Sequence, residues 1–377
     1  MTRDTPGKRH IAHLTSVHSR YDTRIFLKQC RSLAVAGYDV VLVVADGHGD
    51  EEKDGIRILD AGRSRGRLDR MLGATRRVLT RALETDAEIF QLHDPELLPA
   101  GLALKRRGKR VVFDAHEDLP HQILSKAYLH PVLRRPISSM MERFERFACR
   151  RLDAVVAATP AIADKFARSD IPAVAINNFP LPGELAADVE WGAKAREICY
   201  VGGIAANRGI REVVAAMALC RSSVRLNLAG GFPERQVKAD VERSPGWASV
   251  NELGFLSRGQ VREVLARSVA GIVTFLPEPN HIEAQPNKMF EYMSAGIPVI
   301  ASHFPLWREI VEGNECGICV DPLDPRAIAD AIDHLVEHPD LARRMGENGR
   351  RAVRERYNWT AEEQKLLELY GKLLAKA

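Results

Sequence analysis

The feature that most limits what this chain can fold into is its rhythm. Short β-branched runs alternate with longer helical patterns from one end to the other, the signature of parallel sheets covered by helices on both faces. Strands are predicted at 10–17, 39–46, 56–59, 88–93, 110–116, 153–159 and 173–177. A polar stretch bearing Pro and Gly, NFPLPGELAADVEWGAKARE, then breaks the rhythm. A second set of strands follows at 198–203, 224–230, 248–254, 270–276, 298–302 and 317–321. At 377 residues, and at ~150 residues per domain, two large domains are the economical reading. The expected division is an N-terminal Rossmann-like domain over 1–180, a linker over 181–196 and a second Rossmann-like domain over 197–358. A C-terminal helix over 359–377 is expected to return to the first domain.

Two helices announce themselves by their starts. Asp324 precedes Pro325 and RAIADAIDHLVEH as an N-cap, and Thr360 with Glu363 has the spacing of a capping box ahead of QKLLELYGKLLAKA. In the latter, Leu366, Leu367, Tyr370, Leu373 and Leu374 recur at helical spacing and read as core. The chain is 45% hydrophobic and 28% charged, enough apolar material for sizeable cores. It has no long apolar run, and the polar start MTRDTPGKRH lacks a signal-peptide core, so a cytoplasmic protein is expected. Six scattered cysteines make no disulfide framework, and Cys316 with Cys319 lacks the second pair a zinc site needs.

Charge is unevenly placed. Residues 1–185 carry 30 Lys and Arg against 24 Asp and Glu, and the remainder 24 against 26. The densest stretch, 62–81, sets Arg63, Arg65, Arg67, Arg70, Arg76, Arg77 and Arg81 against one aspartate. It reads as a solvated helix face or as a patch for an anionic membrane. Without interleaved aromatic residues it does not read as a nucleic-acid surface.

In open parallel sheets, ligands bind beyond the carboxyl ends of the strands, near the point where strand order reverses. The first domain offers Thr15, Ser16 and His18 after its first strand, His93 and Asp94 after its fourth, and His116, Glu117 and Asp118 after its fifth. The usual doubly wound order makes these strands neighbours, so three polar clusters converge. The loop TSVHSRYDTRIF lacks GxGxxG, which disfavours a dehydrogenase. On it, Asp22 and Arg24 are acceptor-side candidates, or else an N-cap and surface charge.

In the second domain, YVGGIAANRGI follows a strand and opens a helix, so the backbone at Gly202 and Gly203 can face a phosphate with Arg208 adding charge, or can simply allow close packing. The strongest constellation is HIEAQPNKMFEYMSAGIPVIAS, where Pro286 marks a helix start and Gly296 its end. Carboxylates accept hydrogen bonds from vicinal diols. Two of them flanking a cationic helix N-terminus suit a sugar nucleotide, with Glu291 on the ribose, Glu283 on the transferred sugar, Lys288 with the helix dipole at the diphosphate and Asn287 a further donor-binding candidate, or else Lys288 and Glu291 simply pair on a solvated helix.

At these residues the chain resembles glycosyltransferase family 4, retaining enzymes of the GT-B fold, particularly bacterial members that build surface polysaccharides. The spacing Glu283-x7-Glu291 matches that family's paired glutamates. HDPELLPAGLALKRRGKRVVFDAHE, YVGGIAANRGIREVVAAM and CGICVDPLDPRAIADAI resemble its segments in the expected order. The resemblance implies two Rossmann-like doubly wound domains facing across a cleft, a nucleotide-diphosphate sugar donor and a glycan or lipid-linked acceptor. It implies that His116 touches the donor sugar and that an Arg and a Lys, at positions matching Gly203 and Arg208, stabilise the leaving group. Gly203 departs from that pattern. With no Asp-x-Asp triplet, no metal and no cofactor are expected. Acceptor-side candidates are Ser16, His18, Asp22, Arg24, His93 and Asp94. A sugar-nucleotide epimerase on the same fold, or a degenerate transferase acting as a partner protein, are the alternatives.

Overall fold

The computed structural model describes residues 9–66, 69–124, 129–186 and 191–375. Arg67 of the basic stretch, residues 187–190 of the expected linker, the polar start 1–8 and the terminal 376–377 lie outside the described residues. The chain divides into two units, Met1–Asn178 with Trp359–Ala377, and Phe179–Asn358. Among the described residues no helix is long and apolar enough to cross a membrane.

The first unit is an eight-stranded sheet: β1 (His10–Leu14), β2 (Asp39–Val44), β3 (Glu51–Lys53), β4 (Ile56–Asp60), β5 (Ile89–Leu92), β6 (Arg110–Ala115), β7 (Ala154–Ala157) and β8 (Ala173–Ala175). Their order is β3-β4-β2-β1-β5-β6-β7-β8. All neighbours are parallel except β3 and β4. That antiparallel edge hairpin is absent from the sequence reading. Its turn, Asp54-Gly55, has φ of 54° and 73°, the left-handed pair that a two-residue hairpin needs to match strand twist.

The loop after β1 ends sooner than the sequence reading places it. Asp22 accepts hydrogen bonds from the backbone N–H groups of Arg24 and Ile25 and caps a helix that runs in π form over Thr23–Cys30 and continues over Arg31–Val35. Arg24 is therefore in the first turn of a helix, not on a loop, and its side chain is buried.

The second unit is a six-stranded parallel sheet: β9 (Glu197–Val201), β10 (Arg225–Ala229), β11 (Val250–Gly254), β12 (Ala270–Val273), β13 (Val299–Ser302) and β14 (Gly317–Val320), in the order β11-β10-β9-β12-β13-β14. Successive residues of a strand point to opposite faces. Accordingly Cys199, Val201, Val299 and Ala301 enter one apolar core, and Ile198, Tyr200 and Ile300 the other. Phe179 and Leu185 lie in the first of these, so packing of the second unit begins at the end of the stretch expected to be the first domain and runs into the expected linker.

Strand order reverses between β9 and β12, which pair only through Ala270 with Ile198 and Gly271 with Cys199. Beyond that point the strands diverge, and the Tyr292 hydroxyl fills the gap. It accepts the Val201 N–H at 2.9 Å and donates to the Ile272 carbonyl at 3.4 Å. A Cβ at Gly271 would lie 2.3 Å from that ring, so glycine is what lets the helix carrying Tyr292 settle on the switch point.

The last helix, Trp359–Ala375, belongs to the first unit. It starts one residue before Thr360, which is exposed within the first turn and not at a cap. Leu366, Tyr370, Leu373 and Leu374 are buried. Glu362 accepts the Asn177 backbone N–H at 2.8 Å, and the Trp359 indole donates to Ser32 Oγ at 2.9 Å.

Candidate active site

The second unit's site is assembled where three strands end. After β9, Gly202 has φ of 108°, and after β10, Gly230 has φ of 143°. A Cβ on Gly230 would meet the Gly202 carbonyl oxygen at 2.0 Å, so these two loops approach as only glycine allows. Gly209, with φ of 72°, similarly abuts the Thr274 carbonyl beyond β12.

The helix Asn287–Ala295 begins behind Pro286 and ends at Gly296, whose φ is 74°. Its first turn carries Lys288. This side chain is 6% exposed, its Nζ lies 3.6 Å from the Tyr200 ring centroid, and it has no hydrogen-bond partner among the described residues. The Lys288 Cε is 3.5 Å from where a Gly202 Cβ would stand, so the ammonium lies against the glycine loop. Burial pushes its pKa well below the ordinary lysine value, and the Arg208 charge adds to the shift against a smaller opposing pull from Glu291.

At Gly203 the sequence lacks the first cation that the family resemblance implies, and Arg208, which matches the second, lies against the glycine. A Cβ at Gly203 would lie 2.5 Å from Arg208 Nη1, and that nitrogen donates to the Gly203 carbonyl at 3.3 Å. The Arg208 guanidinium folds back over the glycine and occupies the place a longer residue would fill.

Glu291 lies three residues after Lys288 and is half-buried. Arg258 Nη1 donates to its Oε1 at 2.7 Å, while Arg258 Nε donates to Glu184 Oε1 at 2.7 Å. Burial opposes the charge on Arg258, but these two carboxylates outweigh it and raise its pKa. Neither Arg258 nor Glu184 was found from sequence, because each reaches Glu291's neighbourhood from a distant segment with no local pattern. Glu283 caps the C-terminus of the short helix Pro279–Ile282 and is exposed, as is Asn287.

In the first unit, β1, β5 and β6 are adjacent, and their ends do bring the polar clusters together. Asp94 Oδ2 accepts from Thr15 Oγ1 at 2.8 Å, from the Ser16 N–H at 2.6 Å and from Ser16 Oγ at 3.2 Å. His18 Nε2 is 3.3 Å from Asp94, its other nitrogen 3.6 Å from Asp22. Burial works against protonation of His18, but the hydrogen bond to Asp22 and the nearby Asp94 and Asp114 charges prevail and its pKa is raised. Asp22 is correspondingly lowered, against its own burial, by His18 and the Ile25 N–H.

Behind these lies a buried relay. His116 Nε2 is 3.2 Å from His93 Nδ1, His93 Nε2 is 2.8 Å from His13 Nδ1, and His13 Nε2 is 3.3 Å from the Tyr370 hydroxyl, which donates to Gln91 at 2.7 Å. Burial lowers the pKa of both His93 and His13. Asp114, fully buried, anchors the group. Arg24 grips it with Nε and Nη2 at 3.1 and 2.7 Å, and Gln29 donates to it at 2.7 Å. Arg24 Nη1 also donates to the Ile176 carbonyl, so Arg24 positions the cluster from within.

His93, Asp114 and His116 form the one group among the described residues that could hold a metal ion. The Asp114 oxygens are, however, already engaged by Arg24 and Gln29. Of the basic stretch, Arg70 pairs with Glu96, Arg77 with Asp69, and Arg81 with Asp50 and Glu84, while Arg63, Arg65 and Arg76 are exposed.

Comparison with known proteins accords with this architecture. The family model described as glycosyl transferases group 1 matches residues 184–352, and that of the glycosyl transferase 4-like domain matches residues 23–182. Alpha-D-kanosaminyltransferase of Streptomyces kanamyceticus is 26% identical over 277 residues, covering 67% of this chain and 70% of that one. Sucrose-phosphate synthase from Thermosynechococcus elongatus shares the fold with a TM-score of 0.80 at 20% identity, covering 98% of this chain and 100% of its own. Anabaena HepE, solved with UDP-glucose, does so with a TM-score of 0.75 at 17% identity over 96% of this chain and 99% of its own. With a family model on each parallel-sheet unit in chain order, this chain belongs to the group 1, family 4-like glycosyltransferases, retaining hexosyl-transferring enzymes of the GT-B fold.

Proposed function

We propose that this glycosyltransferase moves a sugar, with retention, from a nucleotide-diphosphate sugar to a glycan or lipid-linked acceptor in surface polysaccharide synthesis. The observation that carries the donor assignment is Lys288: a buried ammonium with no hydrogen-bond partner among the described residues, set beside a glycine loop and a second cation. A buried charge is costly unless paired. A diphosphate seated against Gly202 and Gly203 supplies the missing anion, with Lys288, Arg208 and the N–H groups at Asn287 neutralising the charge that grows as the bond to the anomeric carbon breaks. Glu291, held by Arg258, takes the ribose hydroxyls, and exposed Glu283 takes the transferred sugar.

On the first unit, the family resemblance assigns His116 to the sugar, and Ser16, His18 and Asp94 form the polar surface for the acceptor. Asp22 and Arg24 hold that surface in shape. The departing diphosphate oxygen takes the proton of the acceptor hydroxyl, so no covalent nucleophile is assigned. No metal is assigned either, a reading supported by the engagement of Asp114 with Arg24. A catalytically silent chain loses its motive, because Arg208 fills the space above Gly203.

HepE was solved with UDP-glucose, so UDP-sugars lead a thermal-shift series that also includes GDP-, ADP- and dTDP-sugars. A true donor stabilises by RT ln(1 + [L]/Kd), about 2.7 kcal/mol at a hundredfold excess over Kd, and does so equally in EDTA. Glu291→Ala binding the same nucleotide undiminished in calorimetry would overturn the ribose assignment.

A further inference from the structure

We infer that the helix Pro131–Cys149 of the first unit is the surface on which this protein rests on an anionic phospholipid bilayer. The helix has 19 residues and buries only one side. Glu145, Ala148 and Cys149 are buried, and Phe144 packs on the core of the first unit. Along the edge of that side, next to Phe144, Leu133, Met140 and Phe147 are exposed by 52%, 60% and 49%. They stand seven residues apart, so each lies two turns beyond the last with a drift of only about 20°. The three form a single line about 21 Å long. Val132, at 73% exposure, widens its N-terminal end.

The border of this line is cationic. At 100° per residue, Arg143 and Arg150 flank it on one side, and Arg151 lies along it with its guanidinium 3.7 Å from the Phe147 ring centroid. Arg143 is exposed and enters no ion pair among the described residues. The helix has one exposed acid, Glu142, which lies away from the line and is 3.7 Å from Arg146.

An apolar stripe with a basic border is what an interfacial helix presents, its apolar face entering the boundary between headgroups and acyl chains while the arginines meet anionic lipid. A second copy of the chain suits this face less well, because it would bring an identical arginine border against the first. In the stretch Arg63–Arg81 none of the described side chains is a large exposed hydrophobic, and Arg70, Arg77 and Arg81 are matched by carboxylates of the protein itself. The inference does not depend on the donor assignment or on the acceptor.

The test is co-sedimentation of the full chain with phosphatidylcholine vesicles made with and without phosphatidylglycerol. Binding is expected to require phosphatidylglycerol. Met140→Glu with Phe147→Glu, and separately Arg143→Glu with Arg150→Glu, should each lower it about tenfold or more. The melting temperature should hold, since these side chains are exposed, and nucleotide binding should be unchanged. Reversal of Arg63, Arg65 and Arg76 should leave most of the binding intact. Four results overturn the inference: no preference for phosphatidylglycerol, wild-type binding by the Met140/Phe147 variant, loss of binding confined to the Arg63 set, or a dimer in sedimentation that the Met140/Phe147 variant dissociates.

Discussion

Lys288 separates stability from function at one residue. The Lys288 ammonium is buried with no hydrogen-bond partner among the described residues, so Lys288→Met should raise the melting temperature of the free protein while, on the proposed donor assignment, weakening nucleoside-diphosphate binding roughly ten- to a hundredfold, the worth of charge-assisted hydrogen bonds. Its lowered pKa also sets a sign. Between the folded value and the ordinary 10.5, the unfolded chain binds the extra proton, so stability rises with pH across that window, and Lys288→Met should flatten the rise in denaturation experiments. Gly203 offers a second test. Gly203→Ala places a methyl 2.5 Å from Arg208 Nη1, so its effect on donor affinity should work through displacement of Arg208. In a double-mutant cycle with Arg208→Ala, calorimetry should find the two losses strongly non-additive. Lys288 and Glu291 could be picked as candidates because they stand close together on one helix, and Gly203 because it lies in a glycine-rich turn after a strand. Arg258 and Asp114 were not: they act through ion pairs with Glu291 and Arg24, which lie 33 and 90 residues away in sequence, and no local pattern announces such a meeting.

Among elements, the helix Asn287–Ala295 matters most, since it carries Lys288 and Glu291 and is fastened by Tyr292 across the diverging ends of β9 and β12. Tyr292→Phe removes the acceptor for the buried Val201 N–H. Leaving that donor unsatisfied should cost about 1–3 kcal/mol in chemical denaturation, and should raise KM for the donor as the helix loosens. The limits of this helix were readable because Pro and Gly mark its ends. The edge hairpin of β3 and β4 carried a legible mark too, in Asp54-Gly55, but three-residue β3 is too short and too polar to show an alternating pattern. The π form of Thr23–Cys30 left no mark, since its apolar spacing passes for an ordinary helix.

At the scale of the whole molecule, the two units differ in how the chain builds them. The second is continuous over Phe179–Asn358, whereas the first needs Trp359–Ala375 as well. A chain ended at Asn358 loses Glu362 from Asn177, Trp359 from Ser32 and Tyr370 from His13. In calorimetry it should retain the cooperative melting of the second unit and lose that of the first, while the fragment 179–358 alone should fold. The repeated β-α rhythm and the break after residue 177 carried the two-unit plan, because both depend on local composition.

The same connectivity bears on how the protein is made. Domains generally fold in order of synthesis, the N-terminal one first. Here the first sheet has to wait, with His13 and Gln91 still lacking the Tyr370 hydroxyl, until the ribosome has delivered all of the second unit and the helix behind it. The later-made half is the one able to fold at once, and the earlier-made half is the one in need of protection while translation proceeds.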